Sequence, residues 1–414
     1  MVSSLGVASI SAVSVTNQPR LFILSCFFAL FTVMTSLTAK YVGQNDRKSV
    51  NRLLLAGILC TTLASIVISV LSVALATPIM RLCSNQPDTM ANSVLYFRIL
   101  MGGIIANTLY MGINAILRGC GKTIYTFLSN VIFCGVNIFF NYLLIEGHWG
   151  FPAWGIGGAA IATVLGTVAA LVFCIFVILK PSGYVSLLYS FKQKIRINVA
   201  GLREMFEMWQ KVVVENLLSR VGFLISGIIA ARTGSHNTAV YAVGMHLLNI
   251  IFALGNGLQS AAIALVGRSF GANKPADVRS YAQRILNLGL ILSVSLSICF
   301  LALSKTYYSW MGSDPQFISN GVLSCAFIAV IAPIQSRQLI YNGILKGMGE
   351  VKYTMIAAII AVTFVNTAVV FITIILLHWG VWGIWSGSLV SQSVWLFLLH
   401  SRFKKIYLKE SLSC

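Results

Sequence analysis

The sequence predicts an all-α polytopic membrane protein of two parallel-repeat helical lobes, with five spans then six here and six plus six in the complete fold. Three observations lead there. Apolar segments of about 20 residues, each long enough to cross a bilayer, recur along the whole chain. The pattern of one half returns in the other, 228 residues later. The basic residues collect in alternate loops, as orientation in a membrane requires.

Composition sets the class. Of 414 residues, 57% are hydrophobic and 9% charged, where soluble chains carry about 25% charged residues; the mean hydropathy is +0.86. Eleven apolar segments follow in order at 17–39, 53–80, 94–116, 124–145, 153–179, 208–231, 239–266, 285–304, 318–345, 354–377 and 380–400. Short turns such as Gly43-Gln44-Asn45-Asp46 and Gly271-Ala272-Asn273-Lys274-Pro275 separate them. The one long polar connection, 180–204, divides an N-terminal lobe, 1–179, from a C-terminal lobe, 205–414, that ends in a basic tail.

The repeat is carried by several matches in one order. Ile116-Leu117-Arg118-Gly119-Cys120-Gly121 returns as Ile344-Leu345-Lys346-Gly347-Met348-Gly349. Asn114 aligns with Asn342, Gly43 with Gly271, and Trp154-Gly155-Ile156 with Trp382-Gly383-Ile384; Val136-Asn137 meets Val365-Asn366 one residue further on. At both Arg-Gly-x-Gly and Lys-Gly-x-Gly a helix can stop on a left-handed glycine, with the cation beside its C-terminal carbonyls.

Charge orients the spans. The net charge of +19 would suggest nucleic acid in a soluble protein, but no basic block is interleaved with aromatics, so no nucleic-acid partner is expected. Twenty-one of the 29 Lys and Arg fall in one set of alternate loops, among them Lys40, Arg118, the 180–204 connection, Lys346 and Lys404; the opposite set holds Arg81, Arg232 and Lys305. The connection and the C-terminus are therefore expected in the cytoplasm. Gly43 and Gly271 then share a side, so the units run parallel, which demands an even number of spans in each. The partner of the 208–231 helix would precede residue 1. An upstream in-frame segment of about 20 apolar residues is expected there.

Nine cysteines, mostly within apolar segments and without CxxC spacing, read as packing residues, with neither a metal site nor a disulfide framework. Arg118-Gly119-Cys120-Gly121-Lys122-Thr123 ends like a phosphate-binding loop, but Ile116 stands where the pattern needs glycine. No Ser/His/Asp or Cys/His arrangement stands out among five histidines, so neither an enzyme nor a cofactor is indicated.

Glu215, Leu217-Leu218, Gly222-Phe223-Leu224, Gly234, Asn249 and Leu265-Val266-Gly267-Arg268-Ser269-Phe270-Gly271-Ala272 together resemble the multidrug and toxic compound extrusion (MATE) transporters. So do Leu117-Arg118-Gly119, Val136-Asn137, Gly150-Phe151-Pro152, Gly155 and Gly158-Ala159-Ala160-Ile161-Ala162-Thr163. The resemblance spans the chain apart from a first helix. It implies a two-lobed secondary exporter of small organic compounds, often cationic. Such a protein works by alternating access with H⁺ or Na⁺ as coupling ion, as a monomer among the lipids of the inner or plasma membrane. A flippase for lipid-linked saccharides shares this architecture, and a non-transporting remnant is the other alternative. Arg98, Arg220 and Arg337 are too few to require the cationic cavity of a flippase.

Of ten acids, Glu215 alone is placed well inside a span, where a charge is costly and points to function. The resemblance puts an acid here in related transporters, with Na⁺ a candidate ligand; the competing reading is an ion pair with Lys211, one turn earlier. Asn137 and Asn141 share one face of the 124–145 helix and, with Thr163, match a cation-linked polar pocket of some relatives. Asn141 stands where relatives often carry Asp, and hydrogen bonding between helices explains the trio equally well. Asn249 and Gln259 are candidates for the second-lobe cavity. Around Gln335-Ser336, where some relatives have an acid, this chain has none.

Overall fold

The computed structural model describes residues 7–83, 87–180, 184–231 and 234–411; Arg232 and Cys414 lie outside them. Among the described residues the chain is helical throughout, with no strand. It divides into two compact units, Met1–Phe206 and Glu207–Cys414.

The first unit holds α1 (Val7–Gly43), α2 (Arg47–Ala74), α3 (Ala76–Cys83), α4 (Pro87–Gly102), α5 (Ile104–Gly119), α6 (Thr123–Glu146), α7 (Gly155–Leu179) and α8 (Leu187–Lys192). Asp46 starts α2 by accepting the Ser49 N–H at 3.0 Å, as a side-chain N-cap does. The segment expected at 53–80 is interrupted at Leu75, and the one at 94–116 is α4 and α5 bent by 48°. That bend sits at Gly102-Gly103, where a Cβ on Gly103 would press on Val164. Gly158 lets α7 approach α6: a Cβ there would overlap the Leu144 carbonyl, a close-packing use of small residues common in membranes.

The 180–204 connection is more than a linker. It contains α8 and is fastened to the start of α2. Asn51, fully buried, donates to the Tyr184 carbonyl at 3.0 Å and accepts the Ser186 N–H at 2.8 Å. Arg47 lies over the Tyr189 ring at 4.0 Å.

α9 (Val199–Ala231) begins in the first unit and continues into the second. The second unit adds α10 (Ser235–Gly271), α11 (Pro275–Met311), α12 (Pro315–Gly347), α13 (Val351–Ala358), α14 (Thr367–Phe371) and α15 (Val381–Ser411). Segments Ile359–Asn366 and Ile372–Leu376, flanking α14, are π-helical; such wide turns are rare and cluster at functional sites. Two hydrophobic clusters hold the unit: one gathers Ile340, Ile344, Leu345, Val362 and Leu399, the other Ile251, Ile328, Val370 and Trp385. The Trp385 indole N–H reaches Ser324 Oγ at 3.1 Å, which satisfies its one donor inside an apolar setting.

Nine helices among the described residues are long and apolar enough to cross a membrane, and ten if the bent α4–α5 pair counts as one. These correspond to the first ten expected segments. The eleventh lies in α15, whose 31 residues run on into the basic tail and fall outside that set. Packing repeats with the sequence. Gly347 of α12 lies against Ile263 and Gly267 of α10, and Gly119 of α5 lies against Thr35 and Thr38 of α1.

Candidate functional site

Glu215 is buried, 3% exposed, on α9. Its partners come from the second unit. Lys346 Nζ stands 2.8 Å from Oε1, Asn342 Nδ2 donates to the same oxygen at 2.9 Å, and Thr354 Oγ1 donates to Oε2 at 3.1 Å. Asn342 and Lys346 are one turn apart on α12, so both side chains leave the same face. Gly349, with φ of +85°, turns the chain so that α13 brings Thr354 back to the opposite oxygen. Three helices are tied through one carboxylate.

This arrangement corrects the expectation from sequence in three ways. The ion pair of the competing reading is present, but its cation is Lys346 rather than Lys211. Lys346, expected as a loop cation, is 3% exposed. And α9 starts at Val199, so Glu215 is sixteen residues, about 24 Å, along its helix. It stands level with the turn that ends α12. Its burial is due to neighbouring helices rather than to depth along the apolar segment. A buried ion pair of this kind gains little net stability, yet loss of one partner strands a charge at a cost of about 3–5 kcal/mol.

The second cluster lies in the first unit. Asn141 Nδ2 on α6 donates to Asn137 Oδ1 at 3.0 Å, Asn137 Nδ2 donates to Thr163 Oγ1 on α7 at 3.2 Å, and Thr163 donates to the Ala159 carbonyl at 3.0 Å. The three residues expected to meet do meet, and they form a one-directional relay of donors. At its head, Asn141 Oδ1 is buried and has no hydrogen-bond partner among the described residues. Gly166 backs the trio, with room for no Cβ between the Phe133 carbonyl and Asn137.

The remaining candidates stand apart. Asn249 is exposed on α10, and Gln259 is half-buried on that helix, with its backbone carbonyl against Gly343. Neither hydrogen-bonds to either cluster among the described residues. Ser336, fully buried, donates to the Gly289 carbonyl at 3.4 Å, and the nearby Gln335 and Gln338 are buried amides. Arg98 is exposed and reaches Thr77 at 3.4 Å, while Arg220 and Arg337 are half-buried on α9 and α12. Among the described residues no group of His, Cys, Asp and Glu could hold a metal ion.

Sequence reasoning missed Asn342, Lys346 and Thr354 as site residues. A signal existed: the repeat carries Asn-x-x-x-Lys at 342–346 and Asn-x-x-x-Arg at 114–118, a spacing that points two polar side chains the same way.

A family model described as MatE matches residues 1–143 and 212–372, well over half of the chain. The chain belongs to the MatE family. It is a multi-pass membrane protein and an efflux transporter of the MATE type. Among similar proteins, the uncharacterized transporter YisQ of Bacillus subtilis is 22% identical over 416 residues, covering 100% of this chain and 90% of that protein. A probable multidrug resistance protein NorM of Thermotoga maritima is 24% identical over 407 residues, covering 96% and 86%. In fold, the MatE chain superposes on a MATE crystal structure in the bent conformation with a TM-score of 0.90 at 17% identity, covering 100% of this chain and 91% of that one. A MOP superfamily transporter from Pyrococcus furiosus gives 0.90 at 16% identity, covering 98% and 89%.

Proposed function

We propose that this MatE protein exports small organic compounds, cations among them, across the plasma membrane in exchange for an inward-moving ion, by alternating access. It works as a monomer surrounded by lipid, with the 180–204 connection and the C-terminus in the cytoplasm. The exposed apolar side chains of its helices, such as Leu63, Val70, Phe127, Ile291 and Phe397, suit a lipid boundary. Relatives named as probable multidrug resistance proteins support the substrate class.

The observation that carries the coupling is the buried Glu215–Lys346 pair. Lys346 already supplies a cation at 2.8 Å from the carboxylate, which disfavours Na⁺ at the same oxygen and favours H⁺ as the coupling ion. Protonation of Glu215 removes the negative member, leaves the Lys346 ammonium unpaired, and loosens the tie of α9 to α12 and α13. Proton release restores the tie. Substrate that binds better to the deprotonated form promotes that release, since coupling between two sites is reciprocal. The Asn141–Asn137–Thr163 relay carries no ionisable group, so its part is polar recognition, with Asn249 and Gln259 lining the substrate path.

The test is export of a lipophilic cationic dye from proteoliposomes under an imposed pH gradient or an imposed Na⁺ gradient. Export that follows the pH gradient supports the reading. Export that follows Na⁺ alone moves the coupling ion away from Glu215, and no export under either gradient refutes the transport proposal. Movement of a lipid-linked saccharide without dye export would select the flippase.

A further inference from the structure

Asn342, Lys346 and Thr354 stand 228 residues after Asn114, Arg118 and Thr126. The backbone that presents them repeats as well. After α5, Lys122 N–H closes on the Leu117 carbonyl at 2.9 Å; after α12, Glu350 N–H closes on the Leu345 carbonyl at 2.9 Å. The glycines within, Gly121 and Gly349, have φ of +74° and +85°, a left-handed conformation that costs glycine least. Both units therefore offer the same set at the same helix end. The basic residue sits on the last turn, the asparagine one turn before it, and the threonine on the first turn of the next helix.

In the second unit the three side chains converge on one carboxylate. In the first they do not. Asn114 exchanges hydrogen bonds with Ser129 at 3.0 and 3.2 Å. The Arg118 side chain makes no hydrogen bond or ion pair among the described residues, and its Nε is buried without a partner. Thr126, 9% exposed, has its hydroxyl buried and likewise without a partner. The acids of this unit whose side chains are described are engaged elsewhere or distant. Asp46 caps α2, Glu204 binds Lys40 at 2.9 Å and Tyr41 at 2.7 Å, and Glu146 ends α6 at the far end from Thr126. A buried guanidinium edge and a buried hydroxyl cost free energy unless something accepts from them.

We infer that Arg118, Thr126 and Asn114 form a carboxylate-binding site in the first unit, the repeat counterpart of the cradle that holds Glu215. The ligand is a single carboxylate: it accepts from the guanidinium, whose fork suits two parallel hydrogen bonds, and from the threonine hydroxyl. That carboxylate comes from solution. The inference does not depend on which ion drives export.

The test uses residues 1–414 purified in detergent, with sodium acetate exchanged for sodium chloride at constant ionic strength and pH 7. Acetate should raise Tm saturably, by about 2 °C at tenfold excess over its Kd. Arg118→Met should abolish the response and, in chloride, melt no lower than the parent, because it removes a charge that lacks a counter-charge. Thr126→Val keeps the guanidinium and should weaken the acetate response severalfold. Equal Tm in acetate and chloride for the parent, or an unchanged response in Arg118→Met, overturns the site.

Discussion

Removing one member of the Glu215–Lys346 pair should be far more damaging than removing both. Both residues are 3% exposed and their charges meet at 2.8 Å. Glu215→Gln keeps the shape and the contacts to Asn342 and Thr354, but it strands the ammonium of Lys346. Lys346→Met strands the carboxylate. Either loss should cost about 3–5 kcal/mol, an ample fraction of the 5–15 kcal/mol that typically separates folded from unfolded protein. The double variant carries no buried charge, and exchange of a buried pair for uncharged groups is often neutral. Its stability should return to within about 1 kcal/mol of the parent, giving an interaction energy near the upper end of the usual 0.5–3 kcal/mol range or above it.

Thermal unfolding of the four proteins in detergent reads this cycle directly. Both single variants should melt several degrees below the parent and the double variant close to it. If the single variants melt with the parent, the pair is not a buried tie. If the double variant loses the sum of the two single losses, the side chains act independently. The double variant also separates folding from coupling, because it should fold yet export dye at a rate insensitive to an imposed pH gradient. Export that still follows the gradient would remove Glu215 from the coupling step and leave the first unit to supply it.

Thr163→Val takes away the acceptor of the half-buried Asn137 amide and should cost about 0.5–1.5 kcal/mol as one lost hydrogen bond, with export falling further than Tm. Asn141→Asp places a carboxylate beside Asn137 and Thr163, and should make dye export stimulated by Na⁺. Gly158→Val drives a side chain into the Leu144 carbonyl, an overpacking loss of about 1–3 kcal/mol that thermal unfolding would register. Asp46→Ala should cost about 0.5–1 kcal/mol as a lost, exposed cap. The hydrogen bond with Ser49 holds the Asp46 carboxyl below the usual carboxylate range. The difference in Tm between parent and Asp46→Ala should therefore be full above about pH 5 and shrink as pH falls through 4 toward 3.

Helix positions were legible because a bilayer-length apolar run is a long, local signal. The repeat was legible because its motifs sit at helix ends, where glycine and a cation have local jobs. What escaped notice was tertiary. Lys346 read as a loop cation because Gly347-Met348-Gly349 follows it, and only the packing of α9 reveals that it is enclosed. The competing reading paired Glu215 with Lys211 because it is four residues away, whereas the ion-pair partner lies 131 residues further along the chain. Asn137 and Asn141 share a helix face in the sequence itself, whereas Thr163 joined them only through the family resemblance. Asn249 and Gln259 had no such constraint, and they join neither cluster. The break at Gly102-Gly103 packs on Val164, and the π-helical turns around Asn366 pack closely on Gly222 and Gly387; an apolar run looks the same with or without them.

The duplication explains why the two units are candidates for different work. Both place an asparagine, a cation and a threonine at one helix end, and in the second unit the three meet the carboxylate of Glu215. In the second unit the acid is present, and one proton changes its charge. The relay of Asn141, Asn137 and Thr163 in the first unit has only neutral groups, so it can exchange hydrogen-bond partners but cannot change charge at any ordinary pH. A gradient of protons does work on a group that gains or loses charge, and a neutral relay offers it no purchase. Under the proposed exchange of substrate for an ion, charge-linked movement falls to the Glu215 cradle. Recognition of polar parts of a substrate suits the relay, whose buried Asn141 oxygen accepts a donor at no electrostatic cost.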